Sequence, residues 1–165
     1  MQEIVLIGGG GHSKVLIEII KLLKQYKIIG ILDSQIAIGT YISGIAVLGE
    51  DDLMSNLYAN GIKNACIAVG SIKDNSKRKN LYGKVKQFGF QVPSLLHPYS
   101  IISKDTIISE GVQVTAGAII QKGSTIGSNS IINTGAIIEH DCVIGNHVQV
   151  CPGVVISGDC VICDG

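Results

Sequence analysis

From Ile102 onward the hydrophobic pattern of the chain has a period of six. Stepping by six lands on Ile102, Ile108, Val114, Ile120, Ile126, Ile132, Ile138, Ile144, Val150, Ile156 and Ile162, an unbroken row of β-branched aliphatic residues. Four positions after each comes a second row, running from Thr106, Val112 and Ala118 to Val154 and Cys160, in which every residue is small or β-branched. Six is neither the 3.6 of a helix nor the two of a long strand. It fits short strands joined by turns, with one large and one small side chain per unit pointing inward. Such a unit cannot bury its apolar face alone, so coils must stack, pairing their backbones at a strand spacing of about 4.8 Å.

Residues 1–96 carry a different pattern. Strand Glu3–Ile7 leads through Gly8-Gly9-Gly10-Gly11 to a helix over Val15–Leu23, apolar at 15, 16, 19, 20 and 23. Further strands are expected at Lys27–Leu32, Ile45–Leu48, Ala65–Val69 and Phe90–Leu96. A helix capped by Asp51 or Asp52 runs to about Asn60, and another covers Asn75–Phe88. Strands alternating with helices imply a parallel sheet. The fold class is therefore a small Rossmann-like parallel α/β domain, residues 1–97, followed by stacked hexapeptide coils, residues 98–165.

Composition narrows the classes. With 46% hydrophobic residues a packed core is assured, and 4% aromatic residues without Trp suit a narrow coil whose corners are small. Charged residues are 16% of the chain and cancel to zero, with no dense basic block, which speaks against nucleic acid as a partner. No apolar run approaches the roughly 18 residues of a membrane span and no signal-peptide pattern opens the chain, so a cytoplasmic protein with no membrane partner is expected. Five cysteines without close spacing are expected to be reduced thiols. Charge is nevertheless uneven. Residues 1–100 hold eleven Lys/Arg against seven Asp/Glu, whereas 101–165 hold two against six, so an anionic ligand is better suited to the first half. The run Lys77-Arg78-Lys79 reads otherwise as a solvated helix face.

Glycines directly after the first strand offer bare backbone and a helix N-terminus to a phosphate, and Asp33 ends the second strand where a ribose-binding acid sits in dinucleotide folds. The third glycine of that fingerprint is Ser13, and the domain is short, so a mononucleotide group fits better than NAD, with a plain connecting turn as the alternative. Histidine is the natural general base, and among His12, His97, His140 and His147 the register places His140 at an outward turn position, two residues after Ile138. Eighteen residues, one coil, beyond it lies Gly158, whose backbone N–H would stack beside the histidine as an oxyanion donor.

The Gly-Gly-Gly-Gly-His-Ser-Lys-Val start, the Leu-Asp end of the second strand, the junction Leu96-His97-Pro98 and the repeat segment Asn133-Thr134-Gly135-Ala136-Ile137-Ile138-Glu139-His140-Asp141-Cys142-Val143-Ile144-Gly145 together resemble the sialic acid O-acetyltransferase and bacterial nucleotide-aminosugar N-acetyltransferase family. The resemblance spans essentially the whole chain. It implies a left-handed parallel β-helix of eighteen-residue coils and an acetyl-CoA-dependent acetyltransferase, with the thioester bound between subunits of a homotrimer. It implies His140 as catalytic base, Asp141 orienting it and Asn133 lining the acceptor site. Gly8, Gly10, Gly11, His12 and Asp33 would form the nucleotide-sugar pocket, and an amino group on a nucleotide-linked sugar is the expected acceptor, with a sialic acid hydroxyl as the alternative.

Two departures stand out. The second histidine that many members carry nine residues after the first is Gln149 here, which can still donate a hydrogen bond to acetyl-CoA, and His147 is given no role. The repeats from 102 to 165 amount to about three and a half coils, from which missing C-terminal coils, an open strand edge and an incomplete donor site are expected. No metal is expected: Cys160-x-x-Cys163 straddles inward and outward registers. Two further readings remain: a zinc-dependent hydratase of the carbonic anhydrase type, which would have to draw His140, His147 and His97 together, and a non-catalytic trimeric scaffold that binds nucleotide sugars.

Overall fold

The computed structural model describes residues 1–71 and 74–165 and divides into two compact units, Met1–Pro93 and Ser94–Gly165. In the first unit, strand β1 (Gln2–Ile7) leads into helix α1 (Gly11–Leu23), followed by β2 (Tyr26–Leu32), β3 (Tyr41–Ile42), β4 (Ile45–Gly49), α2 (Met54–Ala59), β5 (Asn64–Ile67) and α3 (Ser76–Gln87). The sheet runs β3-β4-β2-β1-β5 and is parallel except for the β3–β4 hairpin. Ile4–Ile7 of β1 are all buried, as suits a central strand covered on both faces. Because the chain steps from β1 outward to β2 and returns to β1's other side at β5, the strand order reverses at β1, and a crevice opens at the carboxyl ends of these strands.

Several expectations for this unit shift. Helix α1 begins at Gly11, four residues before the apolar periodicity, because its N-cap Gly10 supplies no side-chain cap and so leaves no mark in the sequence. Strand β3, too short to read from pattern, is set by Ser43 and Gly44, both at positive φ as a tight hairpin turn requires. Neither Asp51 nor Asp52 is an N-cap: both lie in the 3-10 turn Asp51–Leu53, and Asp51 instead accepts from Lys84 Nζ at 3.1 Å. Arg78 does not lie on a solvated face. It is 1% exposed, and its Nη1 donates to the carbonyls of Ile67 at 2.9 Å and Val69 at 2.7 Å, closing the end of β5. Burial pulls its pKa down to about 10, partly offset by Cys66, so it remains charged at neutral pH. No strand runs from 90 to 96. Phe90 and Val92 pack into the first unit's core, Gln91 makes one isolated bridge to Asn64, and Leu95–Leu96 pairs with Gln113–Val114 to open the second unit.

In the second unit, among the described residues, twelve two-residue strands follow at six-residue intervals from Leu95–Leu96 to Val161–Ile162. They stack into three four-stranded parallel sheets, the faces of a prism. The first face holds Leu95–Leu96, Gln113–Val114, Ile131–Ile132 and Gln149–Val150; the second begins at Ile101–Ile102 and the third at Ile107–Ile108. Partners are eighteen residues apart, as in Ile101, Ile119, Ile137 and Val155. Four coils result, not three and a half, because the first rung uses Leu96, outside the β-branched row.

The inward aliphatics from Val114 to Ile144 are at most 1% exposed, each such side chain being worth about 1.5–3 kcal/mol on burial. The small row does more than save space. Ser130 Oγ donates to Gly145 O at 2.8 Å and accepts from Val148 N–H at 3.0 Å; Ser124 makes the same pair with Glu139 O and Cys142 N–H, and Ser94 with Ser109 O and Val112 N–H. Corners repeat as well. Gly111, Gly117, Gly123, Asn129, Gly135, Asp141, His147, Gly153 and Asp159 all have positive φ, the conformation that glycine adopts freely and that Asn, Asp and His tolerate best among the rest.

Candidate active site

His140 opens the turn that follows Ile137–Ile138, immediately before the left-handed Asp141, φ 59°. That turn brings the carboxylate back to its neighbour, and Asp141 Oδ2 lies 2.9 Å from His140 Nδ1. With Nδ1–H donating to the carboxylate, Nε2 keeps its lone pair. Both side chains are nearly two-thirds exposed, so neither serves the core. The hydrogen bond to Asp141 raises the imidazole pKa above its ordinary value. The charge of Asp141 adds to this, desolvation opposes it, and Glu139 and Asp159 raise it by less.

Gly158 lies one coil above. A Cβ built there would stand 2.6 Å from His140 Nε2 and 2.7 Å from Cε1, so the imidazole rests against bare backbone. In this column the inter-coil bond is made by Asp159 N–H to His140 O at 2.9 Å, and no acceptor among the described residues takes the Gly158 N–H. The register expectation that joined 140 to 158 thus finds the two in contact.

Asn133 and Gln149 are elsewhere in the chain. Gln149 is the outward residue of a first-face strand, and Asn133 follows Ile131–Ile132 on the same face one coil below, its N–H bonded to Val150 O at 3.0 Å. A whole face, that of Ile137–Ile138, separates them from His140. His147 is a corner residue at φ 60°, its Nδ1 2.9 Å from Asn129 Nδ2 one coil below.

In the first unit, Gly8 at φ +106° would meet Val69 and Ala68 with any side chain, so only glycine fits there. Gly9 N–H donates to Asp33 Oδ2 at 2.7 Å and Gln35 N–H to Asp33 Oδ1 at 2.8 Å. Asp33 thus pins the loop through both oxygens. Around Gly10 and Gly11 the space is open: a Cβ at either meets nothing within 4 Å. Ser13 is buried and its Oγ donates to Gly10 O at 2.7 Å, which accounts for serine at the third glycine position. His12 sits half-buried on the first turn of α1. The crevice beside this loop is lined by Gly8, Asp33, Ser34, Asp51, Val69 and Lys77. Lys77 is its one cation among the described residues, and the sequence does not set it apart because it sits in a run of three basic residues.

Among the described residues, no three His, Cys, Asp or Glu side chains gather where they could hold a metal ion. Cys160 is half-buried in the small row while Cys163 is exposed. No helix among them is long and apolar enough to cross a membrane.

The family profile for the PglD N-terminal domain matches residues 3–85, and that for the bacterial transferase hexapeptide (six repeats) matches residues 123–158. The UDP-N-acetylbacillosamine N-acetyltransferase of Bacillus subtilis (strain 168) is 32% identical over 117 residues, 70% of this chain and 52% of that protein; the chain thus spans about half the length of this curated relative. A histidine-to-alanine mutant of GDP-perosamine N-acetyltransferase from Caulobacter crescentus, solved with CoA and GDP-perosamine, superposes with a TM-score of 0.88 at 33% identity, over 96% of this chain and 72% of that one. The acetyltransferase domain of PglB from Neisseria gonorrhoeae FA1090, solved with acetyl coenzyme A, does so with a TM-score of 0.88 at 33% identity, over 98% and 76%. The α/β unit that matches the PglD N-terminal domain, the coils that match the hexapeptide repeat, and these likenesses across nearly the full chain agree: the chain belongs to the hexapeptide-repeat nucleotide-aminosugar N-acetyltransferase family, a Rossmann-like domain followed by a left-handed parallel β-helix.

Proposed function

We propose that the chain transfers the acetyl group of acetyl-CoA to an amino group on a nucleotide-linked aminosugar, with His140 as general base. The observation that carries this reading is the exposed His140–Asp141 pair lying against the unshielded backbone of Gly158. As the amine nitrogen attacks the thioester carbonyl, His140 Nε2 takes its proton, and Asp141 stabilises the imidazolium. Charge then develops on the carbonyl oxygen, to which Gly158 N–H donates a hydrogen bond. When the carbon–sulfur bond breaks, the CoA thiolate leaves and takes the proton back from His140. Amide and thiol are the products, and the base is regenerated.

In this reading Asn133 contacts the acceptor sugar and Gln149 the acetyl-CoA. Both lie a face away from His140 in the same chain, which favours a homotrimer with active sites between copies. The two faces that meet at the His140 corner support it: exposed Ile101 and Val155 on one, exposed Ile107, Val143 and Val161 on the other, offer apolar surface to a second copy. The nucleotide goes to the first unit, where Gly10 and Gly11 border open space at the uncapped start of α1, Gly8 and His12 flank them, and Asp33 holds the loop in shape. Five cysteines, none of them in a disulfide, and a CoA substrate suit the reducing cytoplasm.

The test is thiol release from acetyl-CoA with a panel of UDP-, GDP-, dTDP- and CMP-linked sugars, each with and without a free amino group, and with free sialic acid. Turnover confined to one nucleotide-linked aminosugar is expected. Turnover of sialic acid alone, or tight nucleotide-sugar binding without any turnover, overturns the reading in favour of O-acetylation or of a scaffold.

A further inference from the structure

We infer that Gly123 is a positioning residue for the His140–Asp141 pair, its missing side chain being the seat on which the Asp141 carboxylate rests. The corners at 123, 141 and 159 stack one above another, eighteen residues apart, as the pairing of Thr125 with Val143 and of Val143 with Val161 requires. A Cβ built on Gly123 would overlap Asp141 Oδ1 and stand 3.3 Å from its Cγ. With Oδ1 over Gly123, the other oxygen is aimed at His140 Nδ1.

Backbone conformation does not account for glycine here. Gly123 has φ +77°, but corners of the same conformation carry Asn129, Asp141, His147 and Asp159. Nor is the emptied space typical of corner glycines. A Cβ at Gly135 or Gly153 meets nothing within 4 Å, and at Gly117 only Gly135 backbone at 3.9 Å. Of these four, Gly123 is the one whose missing Cβ leaves room that a carboxylate uses.

The charged groups around the imidazole are Asp141 and Glu139 on its own coil and Asp159 above. Lys122, on the coil below, is paired with Asp105 at 3.2 Å. Moving the Asp141 carboxylate off its seat removes the largest influence on His140, so the imidazole pKa falls and the Nδ1–H tautomer is no longer held. The catalytic part of this inference rests on His140 being the general base; the titration part does not.

The experiment compares the wild type with Gly123→Ala, Gly123→Asn, Asp141→Asn and the control Gly117→Ala. Two readouts are taken: the NMR titration of the His140 ring, assigned by its loss in His140→Gln, and the acid limb of kcat/KM. Asn tolerates the left-handed corner, so Gly123→Asn tests the seat apart from backbone strain. Both 123 variants are expected to titrate lower than wild type, toward Asp141→Asn, with the acid limb moving the same way and the rate falling roughly tenfold. Gly117→Ala is expected to match wild type in both. A folded Gly123→Asn with an unchanged His140 titration overturns the inference, as does failure of both 123 variants to fold where Gly117→Ala folds. A lowered titration in a wild-type background that turns over no nucleotide sugar leaves the seat standing and removes the proposed reaction.

Discussion

The two units place their chemistry on opposite kinds of position. In the coils, every hexapeptide has nearly the same backbone, the interior is fixed by an aliphatic and a small residue, and whatever is distinctive is an outward side chain on a repeated frame. His140 is such a side chain: its equivalents one coil away are Lys122 and Gly158, and the backbone takes the same course through all three. In the α/β unit the distinctive feature is side chains withheld. Gly8 must be bare because Val69 and Ala68 crowd it, whereas Gly10 and Gly11 are bare over empty space, which suits a ligand better than a packing need. A repeated frame tolerates an unusual outward side chain at no cost to folding; the loop at the carboxyl end of a central strand leaves room by omitting one.

Three substitutions sharpen or break this contrast. His140→Ala is expected to lower kcat by about 10²–10⁴ while leaving the thermal midpoint unchanged, since the ring is nearly two-thirds exposed. A comparable loss of stability would make the corner part of the frame. Ser130→Ala is expected to do the reverse: it leaves Gly145 O and Val148 N–H without their inward partner and costs about 1–3 kcal/mol in denaturant unfolding, with kcat little changed. If it proves neutral, the small row acts through size alone. The smallest effect is expected for Gly10→Ala, where the new methyl meets no protein atom. Unfolding is expected to be unaltered, and the KM for the nucleotide sugar to rise by about tenfold, or 1.4 kcal/mol, with that for acetyl-CoA unmoved. Weakened acetyl-CoA binding instead would make the first unit a donor domain.

What could be read from sequence follows the same division. A period of six is legible because each coil meets the same packing demand, and the step of eighteen from His140 to Gly158 needs only that period. The first rung escapes the row because Leu96 is not β-branched and the strand before it reads as the end of the α/β unit. Gly123 could have been found by stepping eighteen back from Asp141, and the corner row of Gly, Asn, Asp and His was equally open to view. The α/β unit hides more. The start of α1 has no capping side chain to announce it, and the end of β2 suggests a ligand-binding acid at Asp33 without showing that both its oxygens also hold loop amides. The burial of Arg78 depends on where the carbonyls of Ile67 and Val69 end up, which no local pattern between two lysines reveals.

Four coils of identical pitch also make position in the chain a coordinate in space. Six residues carry a side chain one third of the way around the axis, and eighteen lift it by one strand spacing, about 4.8 Å, with its direction preserved. A side chain moved from 140 to 122 or 158 would travel along the axis and keep its direction. The coil is in this sense a graduated rod, on which an outward side chain is raised or lowered by one notch through a shift of eighteen residues and no change of architecture.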